Sequence, residues 1–238
     1  MANGGAFDHA VVSARDTPTL DVGCHLVLLG GYSIVGAQLF PESITELVHA
    51  LARGKIRPYD ELRAQVERIL DAQITPRHLD THKHTHLLPP VLEAVARISA
   101  EYKIPWVRKP FDLPSDDEGT LKRRLVGKFL EFFRRRRFDT VLKRYQCRST
   151  DHFSGFSLTG YLTADRLIKL IARLPEGSTE LMVHPGFLGA ELAGSRTRLK
   201  RSRLLELEAI TDPAVREALT LHGVTLAGFR DLDLKNCA

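Results

Sequence analysis

His78-Leu79-Asp80-Thr81-His82-Lys83-His84-Thr85-His86-Leu87-Leu88-Pro89-Pro90 is the stretch that decides how this chain folds. Four of the ten histidines and one carboxylate fall between His78 and His86. In an extended segment side chains two apart share a face, so His78, Asp80, His82, His84 and His86 are expected to project together. One divalent cation takes four ligands in a structural site and typically three in a catalytic one, so the cluster holds more donors than one ion uses. Upstream, Tyr59 to Gln73 reads as a helix with Leu62, Val66, Ile69 and Leu70 on one face, closed by Pro76. Downstream, Pro90 suits a helix's first turn, and Val91, Leu92, Val95 and Ile98 recur at helical spacing. The pattern is helix, short strand, helix. Metal-type side chains therefore stand where a strand ends, the end at which barrels and open sheets of β/α units bind their ligands.

The same alternation runs outward in both directions. Phe7 to Ala14 reads as a short helix, and Val22 to Leu29 as a buried strand interrupted by His25 and ended by Gly30-Gly31. Glu42 to Arg53 is a helix with a Ser43/Glu46 capping box, an apolar face of Ile44, Leu47, Val48 and Leu51, and a stop at Gly54. Ile104 to Arg108 is a further strand, with Arg108 and Lys109 at its exit. Residues 146 to 162 read as loop, Thr163 to Leu174 as a capped helix, and Thr179 to Val183 as a strand ending in His184-Pro185-Gly186. A polar loop through Gly194 to Arg198, helices at Leu199 to Ile210 and Pro213 to His222, and a last strand at Val224 to Phe229 complete the chain. Such alternation predicts an α/β protein with a largely parallel sheet or barrel, forming one domain over residues 1–238.

Composition narrows the classes. With 238 residues, 43% hydrophobic and 26% charged, the chain is expected to be a globular protein with a substantial core. No apolar run approaches the roughly 20 residues that cross a bilayer, and residues 1 to 20 lack the order of a signal peptide, so a cytoplasmic location is expected. Cys24, Cys147 and Cys237 have no metal-ribbon or disulfide spacing, and Cys24 reads as a buried, inert thiol. Net charge is +5. It is concentrated in residues 121–148, where eleven Lys or Arg face Glu131 and Asp139. A solvated helix face is the preferred reading of that segment, with Leu121, Leu125 and Phe129 inward. Contact with an anionic surface is the alternative, and no nucleic-acid partner is expected because no recognised motif is present.

His25, His82 and His184 are thus three histidines at three strand ends. Two neutral imidazoles and a carboxylate form a common arrangement for a hydrolytic divalent metal, whose bound water loses its proton near neutral pH. A further carboxylate takes that proton, and a histidine on the far side protonates the leaving group. Asp80 suits either the metal or the orientation of a neighbouring imidazole.

Val22-Gly23-Cys24-His25-Leu26, His78 through His86, and His184-Pro185-Gly186-Phe187, in this order, resemble the G-x-H-L, H-x-D-[ST]-H-x-H-x-H and H-P-[AG] motifs of the YdjC-like carbohydrate deacetylase family, which includes chitooligosaccharide deacetylases. The resemblance covers essentially the whole chain, including Asn3-Gly4 and Phe7-Asp8-His9-Ala10. The approach to the His184 strand is similar to a hopanoid-biosynthesis-associated branch. The resemblance implies an irregular, TIM-like (β/α) barrel that removes an N-acetyl group from a sugar or glycolipid with the help of a divalent metal, Mg or Zn. It places His25 and His82 on the metal and makes His184 the general acid. Asp80 is expected to orient a histidine and Arg108 to meet a substrate oxygen, while His84 and His86 would line the site or bond neighbouring backbone rather than bind metal.

One departure matters. Family members begin with an Asn-Ala-Asp-Asp-Phe-Gly strand that supplies the metal-binding aspartate and the base, and this chain has no such motif. The expectation is an N-terminally truncated domain lacking the first strand and helix, with metal weakly bound or absent. Its open sheet edges would favour a homo-oligomer. The rival reading is a catalytically silent sugar- or lipid-binding scaffold of the same fold.

Overall fold

A computed structural model describes residues 1–113, 134–195 and 197–235. These residues form two compact units: 1–108 with 134–149 and 227–235, and 109–113 with 150–226. Part of the basic segment, including Lys122, Arg123, Arg124, Lys128 and the apolar positions Leu121, Leu125 and Phe129, lies outside the described residues.

The first unit is built on a three-stranded parallel sheet in the order β1 (Cys24–Leu26), β2 (His78–Thr81), β3 (Trp106–Val107). Helix α1 (Phe7–Asp16) precedes β1, and α2 (Ile44–Ala52) and α3 (Pro58–Asp71) connect it to β2. Ser43 Oγ accepts from the Glu46 N–H, and Glu46 reaches back to the N–H of Glu42 rather than of Ser43. Of the apolar face expected for α2, Leu47 is fully buried whereas Ile44 and Val48 are exposed. Prolines at the starts of α3 and α4 (Pro89–Tyr102) occupy positions where a missing N–H costs nothing. Helix α3 packs against α4 and β1, and Leu62, Val66 and Ile69 of α3, Val91, Leu92, Val95 and Ile98 of α4, and Leu26, Leu28 and Leu79 are all buried. Each such side chain contributes about 1.5–3 kcal/mol on burial.

Residues 134–144 form α5, with Phe138, Val141 and Leu142 turned inward and Arg134, Arg136, Arg137 and Lys143 exposed. Over 134–144 the basic side chains thus stand on a solvated helix face, while the inward positions expected of the segment lie outside the described residues.

The second unit holds a two-stranded parallel sheet, β4 (His152–Ser154) beside β5 (Thr179–Leu181). Residues 112–113 add to its edge through the Leu113 N–H, which donates to the Phe153 carbonyl at 2.9 Å. Helices α6 (Ala164–Ile171), α7 (Ala190–Gly194), α8 (Arg201–Thr211) and α9 (Pro213–Leu221) follow. Leu162, Leu167, Ile171, Val215 and Ala218 form its core.

Two sequence expectations are corrected here. The stretch read as loop contains β4, whose three residues are too short and polar to signal a strand without their partner. Val224 to Phe229 is not a strand. Leu226 is 75% exposed, and Phe229 instead opens helix α10 (Phe229–Lys235), which belongs to the first unit. Among the described residues every pairing between named strands is parallel, no closed barrel is formed, and no helix is long and apolar enough to cross a membrane.

Candidate active site

Register builds the site. Cys24, His25 and Leu26 of β1 stand opposite Leu79, Asp80 and Thr81 of β2, so His25 and Asp80 are neighbours on one face. Leu79 is in turn opposite Val107, and the Arg108 N–H donates to the Leu79 carbonyl at 3.0 Å, which brings Arg108 beside Asp80. The result is a row across three strands. His25 Nδ1 lies 3.0 Å from both Asp80 oxygens, and Arg108 Nη1 donates to Asp80 Oδ2.

Asp80 is 4% exposed. Burial alone would raise its carboxyl, but the hydrogen bond from His25 and the charges of His25 and Arg108 outweigh it and hold the group well below the usual carboxylate range. A carboxylate only accepts, so His25 Nδ1 carries a proton, and in the neutral ring, the form that binds a metal, Nε2 is left with its lone pair on the other side. Nε2 lies 3.3 Å from His82 Nδ1, and the two rings meet edge to face.

This separation is the fit test for a metal. Two imidazole nitrogens bound at about 2.0–2.1 Å to one tetrahedral ion stand about 3.3 Å apart. The pair therefore matches two adjoining corners of such a site, with Asp80 behind His25 in the position that fixes a ligating histidine. Among the described residues no group of three His, Cys, Asp or Glu side chains is gathered to hold an ion.

The remaining histidines of the cluster go elsewhere. β2 ends at Thr81, and the chain enters a 3-10 turn, His82–Leu87, in which Lys83 and His84 both take φ of 51°. The shared face expected of an extended segment therefore stops at His82. His84 is 7% exposed, with its ring edge-on to His86. His86 is wholly buried, meeting Thr81 Oγ1 through Nδ1 and the Arg108 carbonyl through Nε2 at 3.0 Å. His78 packs on Phe229 with ring centroids 4.4 Å apart, and burial pushes it down to about 4. The His78 ring also explains the glycine of the G-x-H-L motif. A Cβ on Gly23 would come within 2.2 Å of it. Cys24 is fully buried, and burial pushes its thiol up to about 12, in keeping with an inert role.

In the second unit His184 follows β5 and its side chain is 29% exposed. Its N–H donates to Glu206 Oε2, and its Nδ1 lies 3.9 Å from the same oxygen. Sequence reasoning missed Glu206. A charged residue on the buried side of a helix was the available signal. Phe187, three residues beyond His184, is 81% exposed.

Fold and site together define a parallel-stranded α/β protein that sets paired imidazoles, one backed by a buried carboxylate, at its strands' carboxyl ends. The chain belongs to the YdjC-like protein family, which it matches over residues 1–221. It is 31% identical to a carbohydrate deacetylase of Geobacillus stearothermophilus, over 97% of this chain and 84% of that one. It is 27% identical to a chitooligosaccharide deacetylase of Serratia marcescens, over 98% and 86%. A crystallised Enterococcus faecalis protein, named for cellobiose-phosphate cleavage, superposes with a TM-score of 0.73 at 21% identity, over 98% of this chain and 85% of that one; this likeness shows the fold alone.

Proposed function

We propose that this chain is a metal-dependent carbohydrate deacetylase, a hydrolase that releases acetate from an N-acetylated amino sugar in a chito-oligosaccharide or glycolipid. The observation that carries the reading is the Asp80–His25–His82 relay, in which a buried carboxylate leaves His25 Nε2 facing His82 Nδ1 at 3.3 Å. Deacetylase relatives aligned over nearly the whole chain support it. His25 and His82 would hold the divalent ion, Zn or Mg, which when bound supplies an activated water and a Lewis acid for the acetyl oxygen.

In the reaction, water's oxygen bonds to the acetyl carbon, the C–N bond breaks, and the nitrogen leaves as an amine after gaining a proton. Asp80 positions rather than reacts. Its oxygens are engaged by His25 and Arg108, and its depressed pKa makes it a poor base at neutral pH. Arg108 keeps that carboxylate ionised and, at the exit of β3 beside Asp80, is the cation assigned to meet a substrate oxygen. His84, buried in the 3-10 turn, is left out of the substrate contacts. His184 takes the role of acid, on its motif match and its place after β5. The reading extends to an irregular (β/α) barrel, supported by parallel strands alternating with helices.

The test is acetate release from N-acetylated chito-oligosaccharides with Zn or Mg added. Wild type should release acetate slowly, because the chain lacks the family's Asp-Asp pair, chelator should stop it, and His82→Ala should lower the rate by about 100-fold, the upper end of what even supporting groups contribute. No acetate from any sugar or glycolipid offered, with any metal, would refute the reading.

A further inference from the structure

Glu206 lies on α8 at 1% exposure, where a carboxylate is rarely found without a partner. Its Oε1 accepts from the Gly160 N–H at 3.2 Å, and its Oε2 accepts from the His184 N–H. One carboxylate thereby ties the loop after β4 to the residue after β5. Arg203, one turn earlier on α8, adds two more ties. Its Nη1 donates to the His184 carbonyl at 3.4 Å, and its own carbonyl accepts from the Gly186 N–H at 3.1 Å.

Backbone ties alone do not call for a buried negative charge, since neutral side chains accept from N–H groups without the same desolvation cost. The imidazole of His184 gives the charge a use. Its Nδ1 is 3.9 Å from Glu206 Oε2, beyond hydrogen-bond range but well inside the distance at which an anion favours the protonated ring. Arg203 acts in the opposite sense, as a cation near the same residue, and partial burial of His184 opposes protonation as well. The same Oε2 that accepts the His184 backbone N–H also stands 3.9 Å from the ring's Nδ1, so one buried carboxylate serves both the backbone and the imidazole of this residue.

We propose that Glu206 is the positioning residue of His184, fixing its backbone through the N–H and, by its charge beside Nδ1, keeping the imidazole protonated at neutral pH so that the ring can donate a proton. The destination of that proton, the departing amine nitrogen, rests on the deacetylase reading; the pairing of Glu206 with His184 does not.

The experiment is an NMR titration of the full chain labelled at histidine, with the His184 signal assigned by its disappearance in His184→Gln. His184 should titrate at least about one unit above the ordinary value near 6.5 in the wild type. In Glu206→Gln it should fall by about one unit or more. The alkaline limb of the acetate-release profile should move down by the same amount, which a merely structural loss would not produce. A wild-type His184 titrating at or below the ordinary value overturns the proposal without recourse to any variant, and so does an unmoved value in a folded Glu206→Gln. A raised His184 that falls in the variant, in a protein that releases no acetate, upholds the pair and refutes the deacetylase reading instead.

Discussion

His86 has its tautomer dictated by its neighbours. The Arg108 carbonyl can only accept, so Nε2 carries the proton, and Nδ1 then accepts from the Thr81 hydroxyl, whose oxygen in turn accepts the His86 N–H at 3.0 Å. A second ring proton would break this cycle. Burial, followed by the charges of His84 and Arg108, accordingly pushes His86 down to about 3. Because the folded value lies below the unfolded one near 6.5, the unfolded chain takes up a proton that the folded chain refuses as pH falls. The stability from a neutral His86 is therefore full above about pH 6.5 and declines below it, at about 1.4 kcal/mol per pH unit, until near the folded value. Urea unfolding of wild type and His86→Asn at pH 7, 6 and 5 should show the steeper decline in the wild type by about 1 kcal/mol per unit between pH 6 and 5; parallel declines would disprove the assignment. The histidines' alternate spacing was legible as a cluster, but its division was not. The left-handed φ of Lys83 and His84, which ordinary side chains rarely adopt, ends the shared extended face after His82.

At the scale of elements, α3 explains why β1 stops at Leu26 when the apolar run continues to Leu29. Gln65 Oε1 accepts from the Val27 N–H and Gln65 Nε2 donates to the Val27 carbonyl, both at 2.8 Å, so a side-chain amide takes the place of a neighbouring strand. One turn before it, Glu61 accepts from Ser33 Oγ and from the N–H groups of Ile34 and Val35. The loop leaving His25 is thus clamped by two buried polar residues within the helix face where sequence periodicity showed only Leu62, Val66, Ile69 and Leu70. Periodicity finds apolar faces, and it cannot show that a polar side chain on that face serves another element's backbone. Gln65→Ala leaves a buried N–H and C=O without partners and should cost about 2–6 kcal/mol, counting roughly 1–3 for each group. Hydrogen exchange at the Val27 amide should speed up in step. A loss below about 1 kcal/mol, with Val27 exchange unchanged, would show that the amide pairing does not hold the loop.

Across the whole molecule, the first unit is closed by residues far along the chain. Helix α10 lies past the family-matched residues 1–221, yet its side chains reach the sheet's opposite end from the site. Phe229 packs on His78 at the start of β2 and lies 5.5 Å from the Trp106 ring of β3. Asp233 Oδ1 accepts from Trp106 Nε1 at 2.9 Å and from Arg148 Nη1 at 2.6 Å, and Arg230 is paired with Asp21 through both its backbone N–H and its guanidinium. The parallel α/β class was legible because strands and helices alternate in period. This closure was not, because Phe229 reads equally as the last residue of an apolar strand, and only the rings it meets decide otherwise. The same contacts bear on the site, since β2 carries His78 at one end and Asp80 near the other. Phe229→Ala should remove about 1–3 kcal/mol, less than a fully buried ring because Phe229 is only partly covered. It should also raise hydrogen exchange at the amides of Val107 and Arg108, whose acceptors are the Arg148 and Leu79 carbonyls. A folded Phe229→Ala with exchange at those two amides unchanged would mean that the sheet stands without α10 and that the helix only decorates it.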